Sequence, residues 1–169
     1  MGIGIIIVEI LPLVVAIALY FSMRKIGYEK VGKKFIVMIA AVLLFMIMSE
    51  PMYRNPGLDF WAYLYRDIPW TVVLGWADIF FVSLIIVDKV WGKLKEKAKF
   101  WMYLLVVTII TVPIESVLLK NGLRTYADDL TNTFSGLMIP LTQAPIEILL
   151  AVPMIAALII GFYKYLGEY

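Results

Sequence analysis

Long apolar runs alternate with short polar stretches along the whole chain. The runs cover about Gly2–Ser22, Phe35–Glu50, Trp70–Val87 and Phe100–Leu119, and a last one begins between Phe134 and Pro145 and ends near Tyr165. Each is close to the roughly 20 residues that a helix needs to cross a bilayer core. The pattern predicts an all-α integral membrane protein with about five transmembrane helices. The last run is long enough to tilt, or to begin with a broken turn near Pro140. No basic stretch precedes the first run and no small-residue cleavage site follows it, so it is expected to remain as a helix and not to be removed as a signal peptide.

The polar stretches set an orientation. One connection carries Arg24, Lys25, Lys30, Lys33 and Lys34, and another carries Lys89, Lys93, Lys95, Lys97 and Lys99. The remaining two hold only Arg54 and Arg66, or Lys120 and Arg124, alongside acids. Basic loops stay on the cytoplasmic side. The expected topology is therefore a multi-pass protein of the plasma membrane with its N-terminus outside and its C-terminus, near Lys164, in the cytoplasm. This alternation closes only with an odd number of spans. Trp61, Tyr63, Tyr65 and Trp70 crowd the first outer loop, where aromatic residues either anchor the interface or wall a site.

Composition agrees and narrows the chemistry. Of 169 residues 63% are hydrophobic and 17% charged, and the mean hydropathy is +0.91. A soluble domain is far less apolar. The chain has no Cys and no His. Disulfides, His-ligated haem, thiolate metal sites and Cys or His catalysis are thereby excluded. The acids include no tight Asp-x-x-x-Asp pair, so no metal site is expected. The net charge of +2 gives no reason to expect a nucleic-acid partner; the bilayer accounts for the basic loops.

A repeat is legible inside the single domain of residues 1–169. "EPMYRNPGLDFW" (50–61) aligns without gaps on "ESVLLKNGLRTY" (115–126), and "GWADI" (75–79) aligns on "APIEI" (144–148) after a short insertion. Glu50 then matches Glu115, Trp61 matches Tyr126, and Asp78 matches Glu147. Spans two and three (about 35–88) correspond to spans four and five (about 100–165) in the same orientation, a parallel repeat.

Five acids fall within or at the ends of the runs: Glu9, Glu50, Asp78, Glu115 and Glu147. Two of them sit in the same tripeptide, Pro-Ile-Glu, at 113–115 and 145–147. An acid in a membrane helix costs a few kcal/mol even on lenient scales and marks a functional site by default. No Lys or Arg is expected at that depth, so the carboxyls should be unpaired, with raised pKa values. In the topology above all five lie toward the outer side, where one cavity would gather them. Bland readings stand beside this one. Pro145 suits a first helical turn in which Glu147 meets the positive dipole end, and Glu50 and Glu115 suit the headgroup level. Pro113 has apolar helix before it, so a kink is expected there.

The stretch 115–153 resembles one repeat of the small membrane lycopene cyclase domain, whose relatives include carotenoid hydratases and other membrane terpene cyclases. The resemblance rests on Glu115, Gly122, Tyr126, Gly136 and Pro145-Ile146-Glu147, with a weaker copy in Glu50, Gly57, Trp61 and Asp78. It covers about two thirds of the chain. The family usually doubles the acid after Pro, whereas Ile148 follows Glu147, and Trp76 stands where the first repeat should have Pro. Such cyclases often use two sets of about three helices against five here, which leaves room for a homo-oligomer.

The resemblance implies a cofactor-free enzyme acting on an isoprenoid or carotenoid-type lipid. A carboxyl group protonates an alkene, the cation cyclises, isomerises or adds water, and a carboxylate removes a proton. Glu147 or Glu115 would be the acid and Asp78 or Glu50 the base. Trp61, Tyr63, Trp70, Trp76 and Tyr126 would stabilise the cation. Arg124 would hold a polar head or face water, and Glu9 would line the site. The rival expectation is a small transporter or ion-binding protein that uses the same acids as a relay.

Overall fold

A computed structural model describes residues 3–140, 142 and 144–167, with side chains described for 9–140, 142 and 144–166. The elements are α1 (Ile3–Lys25), α2 (Val31–Ser49), β1 (Tyr53–Arg54), β2 (Tyr63–Tyr65), β3 (Ile68–Pro69), α3 (Trp70–Val90), α4 (Glu96–Lys120), β4 (Thr125–Tyr126), α5 (Asp128–Thr131) and α6 (Ile148–Gly167). Among the described residues, four helical stretches are long and apolar enough to cross a membrane: Val31–Met52, Trp70–Val90, Glu96–Lys120 and Ile148–Leu166. The first expected run becomes α1, but its start at Gly2 lies outside the described residues.

The four helices form a ring. α2 packs on α3, α3 on α4, α4 on α6, and α6 returns to α2, while α1 lies outside against α3 and α2. Met38, Val42, Phe80, Phe81, Val107, Ala156 and Ile160 fill the centre and are essentially inaccessible. The rings of Phe35 and Phe81 stack at 4.3 Å, and Tyr163 of α6 meets Phe81 edge-on at 6.1 Å. α1 docks closely at Gly75, where an added Cβ would already touch Pro12 at 3.7 Å. The outward faces are as apolar as the centre: Ile36, Ile109, Leu150, Met154 and Leu158 are all more than half exposed. An apolar surface of this extent suits lipid, not water.

The two ends of the ring differ. At the Lys-rich end the connections are short, residues 26–30 and 91–95. All the strands lie in the long connections at the other end. β1 pairs antiparallel with β4, Tyr53 opposite Tyr126, and so ties the loop after α2 to the loop after α4. β2 and β3 form a small hairpin ahead of α3. α4 stays one helix through Pro113. α6 starts later than its apolar run suggests. Residues ahead of it fold back as a loop closed by a bridge between Met138 and Pro145. The chain then enters α6 through Ile148 N–H to Pro145 O and Leu149 N–H to Ile146 O. Pro145 thus occupies the turn before the helix.

Candidate functional site

A cavity of about 380 Å³ opens between α2, α4 and α6 at the loop-bearing end. Its walls are mostly apolar, with Val42 and Met46 from α2 and Val152, Ile155 and Ile159 from α6. Trp76 of α3 and Phe134 of the last loop add aromatic faces. Its polar lining is Ser49, Tyr53, Thr111, Glu115, Arg124, Tyr126 and Glu147.

Glu115 anchors the polar end. Its position in the last two turns of α4 buries it to 5% exposure. β4 then brings the chain back so that Arg124 Nη1 donates to Glu115 Oε2 at 2.8 Å and the Tyr126 hydroxyl donates to Oε1 at 3.0 Å. Arg124 is itself only 4% exposed. Its Nε donates to Asn55 Oδ1 at 3.3 Å, and its guanidinium lies 4.9 Å from the centroid of the Tyr53 ring. Asn55 Nδ2 in turn donates to Asp67 O at 2.9 Å within the first long loop, so the Asn55 side chain both braces that loop and, through Arg124, ties it to the second. Burial, and then the neighbouring Glu115 charge, push the Tyr126 phenol far above its ordinary range, so it stays a donor. Burial likewise raises Tyr53, whose hydroxyl lies 3.0 Å from Ser49 Oγ.

For Glu115 the expectation of an unpaired carboxyl is corrected here. A cation does reach that depth, because the chain turns back at Gly122, where φ is +67°, and inserts Arg124 beside Glu115.

Glu147 stands at the entry to α6. Its Oε1 accepts the Ser135 N–H at 2.6 Å, which holds the carboxyl below the ordinary glutamate range. Its Oε2 is shielded and has no hydrogen-bond partner among the described residues. Phe134, next to Ser135, meets Tyr126 edge-on at 5.5 Å.

The other expected site residues lie elsewhere. Asp78 is buried within α3 at 5% exposure, with neither carboxyl oxygen bonded among the described residues, but it does not line the cavity. Glu50 sits in the single turn after α2, half-buried and outside the cavity. Glu9, at 1% exposure, accepts the Asp59 N–H at 2.7 Å and so tethers α1 to the first long loop. Trp61 and Trp70 pack together at 5.3 Å, with Trp70 Nε1 donating to Trp61 O, and Tyr63 donates to Asn55 O. These three aromatics buttress the first loop and are not cavity walls. Of the expected residues the cavity therefore gathers Glu115, Glu147, Trp76, Tyr126 and Arg124.

No family model, curated protein or solved structure matches this chain.

Sequence reasoning missed Asn55, Tyr53, Ser49 and Thr111. Asn55 had one signal: an amide ahead of Pro56-Gly57 marks a turn whose polar side chain seeks backbone partners. The others are ordinary residues that only the packing of α2 on its neighbours singles out. Among the described residues no group of three acids is placed to hold a metal ion.

Proposed function

We propose that this protein is a cofactor-free membrane enzyme that binds an isoprenoid-type lipid in the cavity and acts on it by acid–base chemistry. The observation that carries the reading is one apolar cavity holding two carboxyl groups, Glu115 from α4 and Glu147 from the turn ahead of α6, beside the aromatic faces of Trp76, Tyr126 and Phe134. Glu115 is committed to Arg124 and Tyr126, so it serves as the carboxylate that balances a cation and takes up a proton. Glu147 is left as the donor. A lipid chain that enters beside the loop breaks the Ser135 contact and surrounds Glu147 with hydrocarbon, and both changes raise its proton affinity. The proton passes from Glu147 to an alkene carbon: the O–H bond breaks, a C–H bond forms from the π pair, and a carbocation remains against the aromatic faces. Loss of a proton to Glu115 gives a cyclised or isomerised product of unchanged mass, and capture of water gives a hydrate. This chemistry is that of the membrane lycopene cyclase-like enzymes that the sequence resembles.

The rest of the reading concerns the bilayer. α1 is the fifth span, the Lys-rich end is cytoplasmic, the protein resides in the plasma membrane, and the α2–α3 and α4–α6 pairs are the two halves of a parallel repeat. The test of function is turnover of acyclic prenyl lipids by the purified protein in nanodiscs. Glu147→Gln keeps size and hydrogen bonding but removes the proton, and general acid catalysis accounts for about 10²–10⁴-fold in rate. A loss of at least that size, with the fold intact, supports the assignment; full activity removes Glu147 as the acid.

A second reading, a proton-coupled carrier, is favoured by Asp78, whose two buried oxygens lack partners among the described residues. Proton flux into proteoliposomes that Asp78→Asn abolishes, without lipid turnover, would select it.

A further inference from the structure

The cavity is not closed on all sides, and the exposure of its lining residues marks where it opens. α4 contributes Thr111 and Glu115, both buried, and α3 contributes Trp76, with α1 packed against α3 from outside. The second long loop roofs it with Tyr126, Leu130 and Phe134, all half-buried. The lining residues that are also exposed on the outer surface are Met52, Ala151, Met154 and Leu158. Met52 ends the turn after α2. Ala151, Met154 and Leu158 share one face of α6. Phe45 of α2 lines the cavity too and is half-buried. The opening is therefore a slot along the seam between α2 and α6.

The surroundings of the slot decide what enters it. Both edges belong to stretches of membrane-crossing length and composition, Val31–Met52 and Ile148–Leu166. The outward faces of the same helices carry Met48 and Leu150, at 69% and 72% exposure, a surface suited to hydrocarbon. The lining from Ile148 to Leu158 covers about 15 Å of α6, about half the thickness of a bilayer core. The cavity volume of about 380 Å³ is near the small end for ligand pockets, too small to enclose a long lipid.

We propose that the ligand is threaded through this slot. A lipid slides in sideways from the bilayer between α2 and α6, brings one end of its chain to the part of the cavity that holds Glu115 and Glu147, and leaves the rest of the chain in the leaflet. This rests on the cavity reading above and adds its route and its selectivity: the site takes the end of a long apolar chain of whatever length, and not a small soluble molecule.

The experiment reads contact quenching of tryptophan fluorescence by brominated squalene in nanodiscs. Each protein is compared with its own Trp76→Phe counterpart, and the quenching lost there reports a chain inside the cavity, because Trp76 lines it. The natural protein should show this Trp76-dependent quenching at a similar probe content for brominated squalene and for a longer brominated polyprenyl hydrocarbon. Ala151→Phe/Leu158→Phe fills the slot from the lipid side and should raise the half-quenching probe content about tenfold, the scale of overpacking a site. Leu158→Ala widens the slot and should quench at least as readily as the natural protein. Leu105→Phe/Ile109→Phe, on the outer face of α4 where both residues are more than half exposed, should change nothing. Natural quenching in the filled variant, loss of quenching in Leu158→Ala, or rejection of the longer chain each overturns the inference and leaves the cavity reading standing. Absence of Trp76-dependent quenching from the natural protein overturns both. If copies carrying Leu158→Cys then cross-link to one another, the slot belongs to a second copy of the chain.

Discussion

The Glu115–Arg124 pair offers the sharpest energetic test. Both side chains are about 95% buried, and the charged atoms are 2.8 Å apart. At an effective dielectric of about 20, unit charges at that separation attract by roughly 6 kcal/mol. Most of this offsets the desolvation of the two ions, so the pair as a whole adds little net stability. Removing one partner is a different matter, because it strands the other charge in an apolar wall at a cost of about 3–5 kcal/mol. Glu115→Gln should sit at the low end, since the amide oxygen still accepts from Tyr126 and Arg124. Arg124→Met should sit at the high end, since it leaves the carboxylate with the Tyr126 hydroxyl alone. For a chain of this length each kcal/mol moves Tm by about 2–4 °C, so each single variant should lose about 6–20 °C. The double variant Glu115→Gln/Arg124→Met should recover most of the loss. Thermal unfolding of all four proteins in one detergent, or a steric-trap measurement in bicelles, closes the cycle. Strictly additive losses, with the double variant the least stable, would refute the reasoning and reduce the pair to two independent polar groups.

Three further predictions use other parts of the fold. Single Cys variants at Ser22 and Ala98, both toward the Lys-rich end, should resist membrane-impermeant labelling from outside intact cells; labelling of either from outside overturns the orientation. The Ser135–Glu147 contact should weaken in acid. The folded pKa of Glu147 is depressed, so its contribution is fully present above the ordinary glutamate value and is lost as pH falls through the lowered one. Hydrogen exchange at the Ser135 amide, corrected for its intrinsic pH dependence, should lose protection there, and a pH-independent profile would contradict the assignment. Gly57→Ala should destabilise the joined loops, because its Cβ would lie 2.6 Å from Leu123 Cδ2 and 3.1 Å from Leu123 Cα. Overpacking of this kind costs about 1–3 kcal/mol, and an unchanged Tm would show that the loops yield freely.

The helices were readable because lipid imposes a simple rule: about twenty apolar residues, bounded by charge. Four of the apolar runs return as helices of membrane-crossing length and composition, with ends within a few residues of those expected, apart from the late start of α6. The loops were not readable in this way. Residues 50–69 and 121–147 are polar and short of periodicity, so their geometry depends on pairings between distant segments, such as Tyr53 with Tyr126. That is why Arg124 was open between facing water and holding a head group, and why Asn55 went unnoticed. The acids were conspicuous as residue types, but their depth alone did not say which face of each helix they occupy. Asp78 and Glu147 hold matching places in the sequence alignment that suggested a repeat, yet of the two only Glu147 lines the cavity.

The spacing of Glu115 and Arg124 also bears on how the chain enters the bilayer. The two are nine residues apart, whereas Asn55 and Arg124 are separated by 69. As α4 is delivered to lipid, its carboxylate and the guanidinium just behind it can meet at once. The segment then crosses as a neutral unit, which spares the cost of moving a lone acid into hydrocarbon. The bond to Asn55 spans 69 residues and forms only when the two long loops meet. Moving the arginine into the first long loop would keep the finished network's composition yet make its pairing with Glu115 depend on the two long loops meeting. Such a protein should insert α4 less efficiently even where its mature form is stable.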